Sequence, residues 1–237
     1  MTINAGDDTH HPEIGRGRLN LENSSVMIAA SPFNDHVEEY DAWFEKYPYV
    51  FRSEVAAIKR LLPDGKKRKG IEIGVGTGRF AKALGITDGI EPAPRMREAA
   101  EKRGVFVLNA KAEKLPYHSG QFEFVLMNFC ISYFDDVQEA LSEAYRVLKP
   151  DGVLIVGFVE RRSPIARLYE RRALRSVFYR GARFYSATAV SKWLGKAGFR
   201  QQEMIQTLFH LPGRVKTVEA ATPGRGEGSY ILIKATK

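Results

Sequence analysis

The sequence predicts a doubly wound α/β fold, a three-layer sandwich with helices on both faces of a mostly parallel sheet. Short apolar runs suited to buried strands alternate with helical repeats between residues 71 and 158. A glycine-rich stretch, "GIEIGVGTGRF" (70–80), stands where the first of these runs meets a helix. The 237 residues, 44% of them hydrophobic, suffice for one full domain with its own core.

Residues 1–31 show no periodicity and read as a flexible tail, with His10 and His11 solvated rather than metal-binding. From Asp35, Val37, Tyr40, Phe44 and Tyr47 recur at helical spacing, with Trp43 beside them. After Pro48 a second helix carries Val55, Ile58, Leu61 and Leu62 on one face, and "PDGKKRKG" (63–70) ends it. Then come strand 71–73, helix 79–84, strand 88–92, helix 96–103, strand 105–109, strand 122–128, helix 137–148, the turn "KPDG" (149–152) and strand 153–158. Such alternation implies parallel strands joined by right-handed crossovers, with ligand space at their C-terminal ends. A helix capped by Ser186 and closed by Gly198 follows, then β-rich runs near 201–209 and 229–235. The domain is expected over 32–237, with 32–66 as a helical lid and 160–185 as an arginine-rich insertion.

Composition narrows the function classes. No run approaches the roughly 20 apolar residues that span a bilayer, and the polar N-terminus lacks the pattern of a secretion signal. One cysteine, Cys130, excludes an internal disulfide and a multi-cysteine metal site. A cytoplasmic protein without a metal is expected. The net charge of +8 fits a nucleic acid, an anionic surface, an anionic substrate or simple solubility. Eight arginines, no lysine and one acid, Glu170, lie between Arg161 and Arg183.

The glycine loop reads E-x-G-x-G-x-G, from Glu72 through Gly74, Gly76 and Gly78. A dinucleotide loop would place its third glycine at position 79, which is arginine. A carboxylate at Glu72 serves a phosphate poorly and a cationic ligand well. Glu91 ends the second strand, 17 residues after Gly74. There it can accept both hydroxyls of a ribose.

With these residues the chain resembles the class I S-adenosylmethionine-dependent methyltransferases, in particular the ubiquinone/menaquinone group. The matching stretches are "IEIGVGTGRFA", "GIEPAPRM", "NAKAEKLPY", "FEFVLMNFCISYFDD", "EAYRVLKPDGVLIVG" and "YSATAVSKWLGKAGF", in family order over roughly 40–200. The resemblance implies a Rossmann-like sheet of seven strands, the last antiparallel and hairpinned on its neighbour. It implies S-adenosylmethionine as cofactor, its methionine arm lying on Gly74, Gly76 and Gly78 so closely that a Cβ would displace it. It gives Glu72 the amino end of the cofactor, Glu91 the ribose, Pro92 and Met96 the adenine faces, Ala112 and Glu113 its edge, and Asn128 and Phe129 the methyl end. Lys111 stands where the family often has an aspartate for the adenine amino group, and lysine has no acceptor.

The implied reaction is an in-line methyl displacement in which alignment and exclusion of water carry the rate. Tyr40 and Tyr133 are the candidate catalytic residues, and Cys130 reads as packing. The expected partner is a small molecule, anionic if Arg171 and Arg175 face it. The alternatives are an RNA methyltransferase and a non-catalytic S-adenosylmethionine-binding protein. Position 128 does not open the Asn-Pro-Pro-aromatic sequence of adenine-N6 enzymes, and no Pro-Cys pair serves cytosine C5.

Overall fold

Along β4 (Phe122–Asn128), Phe124 and Leu126 are buried on one face and Val125 and Met127 on the other. A strand apolar on both faces has to be covered on both, which sets the three layers. The computed structural model describes residues 32–63, 65, 68–173 and 175–237. The tail assigned to 1–31, with its histidines, lies outside the described residues.

Strands β1 (Gly70–Ile73), β2 (Asp88–Ile90) and β3 (Phe106–Leu108) lie on one side of β4. On its other side are β5 (Leu148–Val159), β6 (Arg200–Thr207), β7 (Thr222–Pro223) and β8 (Tyr230–Thr236). The sheet order is β3-β2-β1-β4-β5-β8-β6-β7. The first five strands in that order are parallel, and β8 runs antiparallel between β5 and β6. Helices α3 (Pro48–Leu61) and α4 (Arg79–Leu84) cover one face, and α6 (Val137–Val147) and α8 (Ala187–Lys196) cover the other. Helix α5 (Pro94–Lys102) packs beside β3.

The expected seven strands become eight. The addition is β7, part of the long connection between β6 and β8, which pairs with Ile205 and Gln206. Its Pro223 has no donor to give a further strand, so it suits a sheet edge. The "KPDG" turn is absorbed into β5 as a bulge: Phe122 pairs with Leu148, but Phe124 pairs with Val153. Helix caps follow the sequence. Asp136 accepts from the amides of Gln138 and Glu139 at 2.8 and 3.1 Å, and Ser186 from that of Ala189 at 3.3 Å.

Three helices rather than two precede the sheet: α1 (Pro32–Asp35), α2 (Val37–Lys46) and α3. Helix α2 is tied across the glycine loop by ionic contacts. Asp41 accepts from Thr77 Oγ1 at 2.7 Å, from Arg79 Nε at 2.9 Å and from Arg103. Glu45 pairs with Arg79 at 2.8 Å and Glu38 with Arg95 at 2.9 Å.

Candidate active site

The C-terminal ends of β1, β2 and β4 meet one cavity of about 610 Å³, within the usual range for a small-molecule site. Its floor over β1 and β2 holds Gly74, Gly76, Glu91, Pro92, Met96, Ala112 and Glu113, with Asn128 and Phe129 at the end of β4. Eleven cofactor positions are expected from sequence, and these nine lie on the lining. Glu72 and Gly78 stand behind it.

The three loop glycines have φ of +67°, +55° and +78°, a region that side chains other than glycine rarely adopt. The sequence attributes all three to a close ligand, and at two of them the structure shows a second constraint. A Cβ on Gly74 would stand 2.6 Å from the Cβ of Cys130, and one on Gly78 3.0 Å from Ala100. Packing against neighbouring segments therefore requires glycine at 74 and 78. Only at Gly76 does the space open toward the cavity, where the nearest atom is the Tyr40 hydroxyl at 3.5 Å.

Glu91 accepts from the amide of Gly76 at 3.0 Å and from that of Ala93 at 3.0 Å. It thus sets the loop, and its remaining lone pairs leave room for a diol. Burial raises its pKa, opposed by these two amides and by Arg97. Glu72 is fully buried beneath the loop, and its Oε2 has no partner among the described residues. Burial pushes its carboxyl well above the ordinary range. Asn128 Nδ2, on the lining, is also unpartnered. An acid-rich floor with orphaned polar atoms and one glycine open to the cavity fits a ligand that carries positive charge and a ribose. Glu113 accepts from the amides of Asp135 and Asp136 at 2.8 and 3.3 Å, and Lys111 pairs with Asp135 at 2.7 Å.

Tyr40 and Tyr133 both face the cavity. Burial, with Glu72 and Glu91 adding to it at Tyr40, raises both phenols far above their ordinary value. Tyr133 moreover donates to the carbonyl of Phe178 at 3.0 Å. Both phenols form part of the cavity wall. The Cys130 thiol, raised well above its ordinary range by burial, packs as expected.

The cavity continues over β5 and β8. Helix α7 (Pro164–Arg172) and the segment after it supply Ile165, Tyr169, Phe178, Tyr179 and Phe184 to its wall. All eight arginines of that segment are exposed, and none lines the cavity. The expectation that guanidinium groups face the substrate is not met. The insertion turns its apolar face inward because a helix bordering the cavity buries its stripe. The reading of the residues missed Glu54, which is buried at 2% exposure on the lining. The signal was present: Val50, Glu54, Ile58 and Leu61 form one helical stripe with an acid inside it.

Comparisons with known proteins agree with this geometry. A family model described as a methyltransferase domain matches residues 71–156. A crystal structure from Thermotoga maritima, described as an S-adenosylmethionine-dependent methyltransferase and possible histamine N-methyltransferase, is 46% identical. It covers 87% of this chain and 98% of its own, with a TM-score of 0.83. An uncharacterized protein of Methanocaldococcus jannaschii is 40% identical over 205 residues, 86% of this chain and 98% of the relative. A demethylmenaquinone methyltransferase of Tropheryma whipplei is 33% identical over 126 residues, 49% of this chain. No helix among the described residues is long and apolar enough to cross a membrane. Loop, acid-ended second strand, sheet order and relatives agree: the chain belongs to the class I S-adenosylmethionine-dependent methyltransferases.

Proposed function

We propose that this enzyme methylates a small-molecule acceptor. The observation that carries the reading is that one cavity spans two differently built halves. Its β1–β2 half has the residues for the cofactor, and its β5–β8 half is walled by α3, α7 and the segment after α7. S-adenosylmethionine, when bound, supplies an electrophilic methyl group on a sulfonium.

The chain's own residues hold and enclose. Glu91 takes the ribose, Pro92 and Met96 the adenine, Ala112 and Glu113 its edge, and Asn128 and Phe129 the methyl end. Glu72, behind the loop, offers an unpartnered carboxyl oxygen toward the amino end. Helices α1 to α3 act as a lid, presenting Phe33, Tyr40, Trp43 and Phe44 to the cavity. A closed apolar space excludes water and aligns the acceptor, which is what a methyl displacement asks of a protein. The described lining offers no free base to a phosphate, since Lys111 is its only basic side chain and is paired with Asp135. The test is incubation with methyl-labelled cofactor and a fractionated small-molecule extract. A labelled small product supports the reading, whereas label found only in RNA overturns it.

A further inference from the structure

Glu54 has no part in the assignments above. It stands on α3 between Val50 and Ile58, on the face that packs against β5, β6 and β8, far along the sheet from the glycine loop at β1. Its Oε2 has no hydrogen-bond partner among the described residues. A carboxyl group withdrawn from water without a partner is a costly arrangement, and native structures tolerate it where a ligand completes it.

The other carboxyl groups of the lining have partners. Glu39 lies 3.2 Å from His36, and Asp135 is paired with Lys111. Glu91 and Glu113 each accept from two main-chain amides. Glu54 is therefore the one lining carboxyl group left open among the described residues. Its half of the cavity is aromatic. Tyr169 and Tyr179 stack at 4.1 Å with their planes 13° apart, and Trp43, Phe44, Phe184 and Tyr230 complete the wall. Aromatic faces favour a cation, and an unpaired buried carboxyl gains a partner when a cation arrives and it ionises.

We propose that the methyl acceptor is a small organic amine, and that its ammonium group docks on Glu54 while its apolar body lies against Tyr169, Tyr179 and Phe184. This rests on the methyl-transfer reading and names the substrate class for the same cavity. An anionic acceptor would oppose ionisation of Glu54 and would find no arginine on the described lining to pair with.

The test is calorimetric titration of the full chain, with S-adenosylhomocysteine in one arm. In the other arm 2-phenylethylamine and hexylamine are each titrated beside the alcohol and the carboxylic acid of matching length. At least one amine should bind about tenfold or more tightly than its partners, and Glu54→Gln should abolish that preference, as loss of a charge-assisted contact predicts. S-adenosylhomocysteine should bind wild type and variant alike. Glutamine is isosteric and leaves no buried charge, so the variant folds, which thermal unfolding checks. Amines that bind no better than their alcohols, or a preference that survives Glu54→Gln, overturn the proposal while leaving methyl transfer standing. Failure to bind S-adenosylhomocysteine overturns both.

Discussion

Tyr230, at the start of β8, donates its phenolic hydrogen to Oδ1 of Asn128, at the end of β4, across 2.6 Å and out of contact with water. The bond spans β5 and fixes the side chain at the centre of the cavity floor. Both Glu54 and Glu72 raise the Tyr230 phenol further beyond the effect of its burial, so this residue stands between the two halves of the site. Tyr230→Phe should destabilise the fold by about 1–3 kcal/mol, the cost of leaving a buried acceptor unpaired. Denaturant unfolding checks this, and an unchanged midpoint would mean that the bond carries nothing.

Glu91→Ala removes the acceptor from the amides of Gly76 and Ala93 as well as from the proposed ribose contact. S-adenosylhomocysteine affinity should fall by about 1.5–3 kcal/mol, the scale of hydrogen bonds to a charged group. Circular dichroism should show the fold retained. Unaltered affinity in a titration would refute the ribose role.

Asp41 joins the proposed lid to the loop. Burial alone would raise its pKa, but hydrogen bonds from Arg79, Thr77 and Arg103 outweigh this and hold it below the ordinary carboxylate value. A lowered folded-state pKa contributes stability that is present above the unfolded value of 3.8 and lost as pH falls through the folded one. Asp41→Asn should therefore cost about 1–2 kcal/mol at neutral pH. The difference from wild type should shrink below pH 4. Thermal unfolding at several pH values measures both.

The sign reverses at Glu54. Burial raises its folded pKa well above 4.5, so the folded chain keeps a proton that the unfolded chain releases. Wild-type stability therefore declines as pH rises from the unfolded value toward the folded one. Tyr169, Tyr179 and Tyr230 are the titratable groups coupled to it, and their raised pKa values keep them neutral through this range. Glu54→Gln should be more stable than wild type at pH 8 and close to it near pH 4.5. Equal stabilities at both pH values would show that the carboxyl group is satisfied.

The strands were legible because burial on both faces leaves near-continuous apolar runs, and β4 is found at 122–128 as read from its sequence. The loop and Glu91 were legible through spacing. What stayed hidden depended on tertiary contact. Nothing in "GVGTG" shows that Gly74 faces Cys130 or that Gly78 faces Ala100. The arginines of 161–183 drew the eye to charge, while the structure uses the apolar residues between them. Pairing at Thr222–Pro223 comes from chain return, not from strand propensity. Glu54 is hard to read from sequence because an acid on an apolar stripe looks like a break in the pattern, and only the fold shows that it stays buried.

Cys130 gives the molecule a built-in reporter. It is the chain's only thiol, it lines the cavity half-buried, and its side chain fills the space beside Gly74. A ligand seated in the cavity shields such a thiol from a reagent. The rate at which a maleimide consumes it therefore reads how far the cavity is filled. Slower alkylation in the presence of S-adenosylhomocysteine, or of an amine, would register the filling of each half without any assay of the reaction.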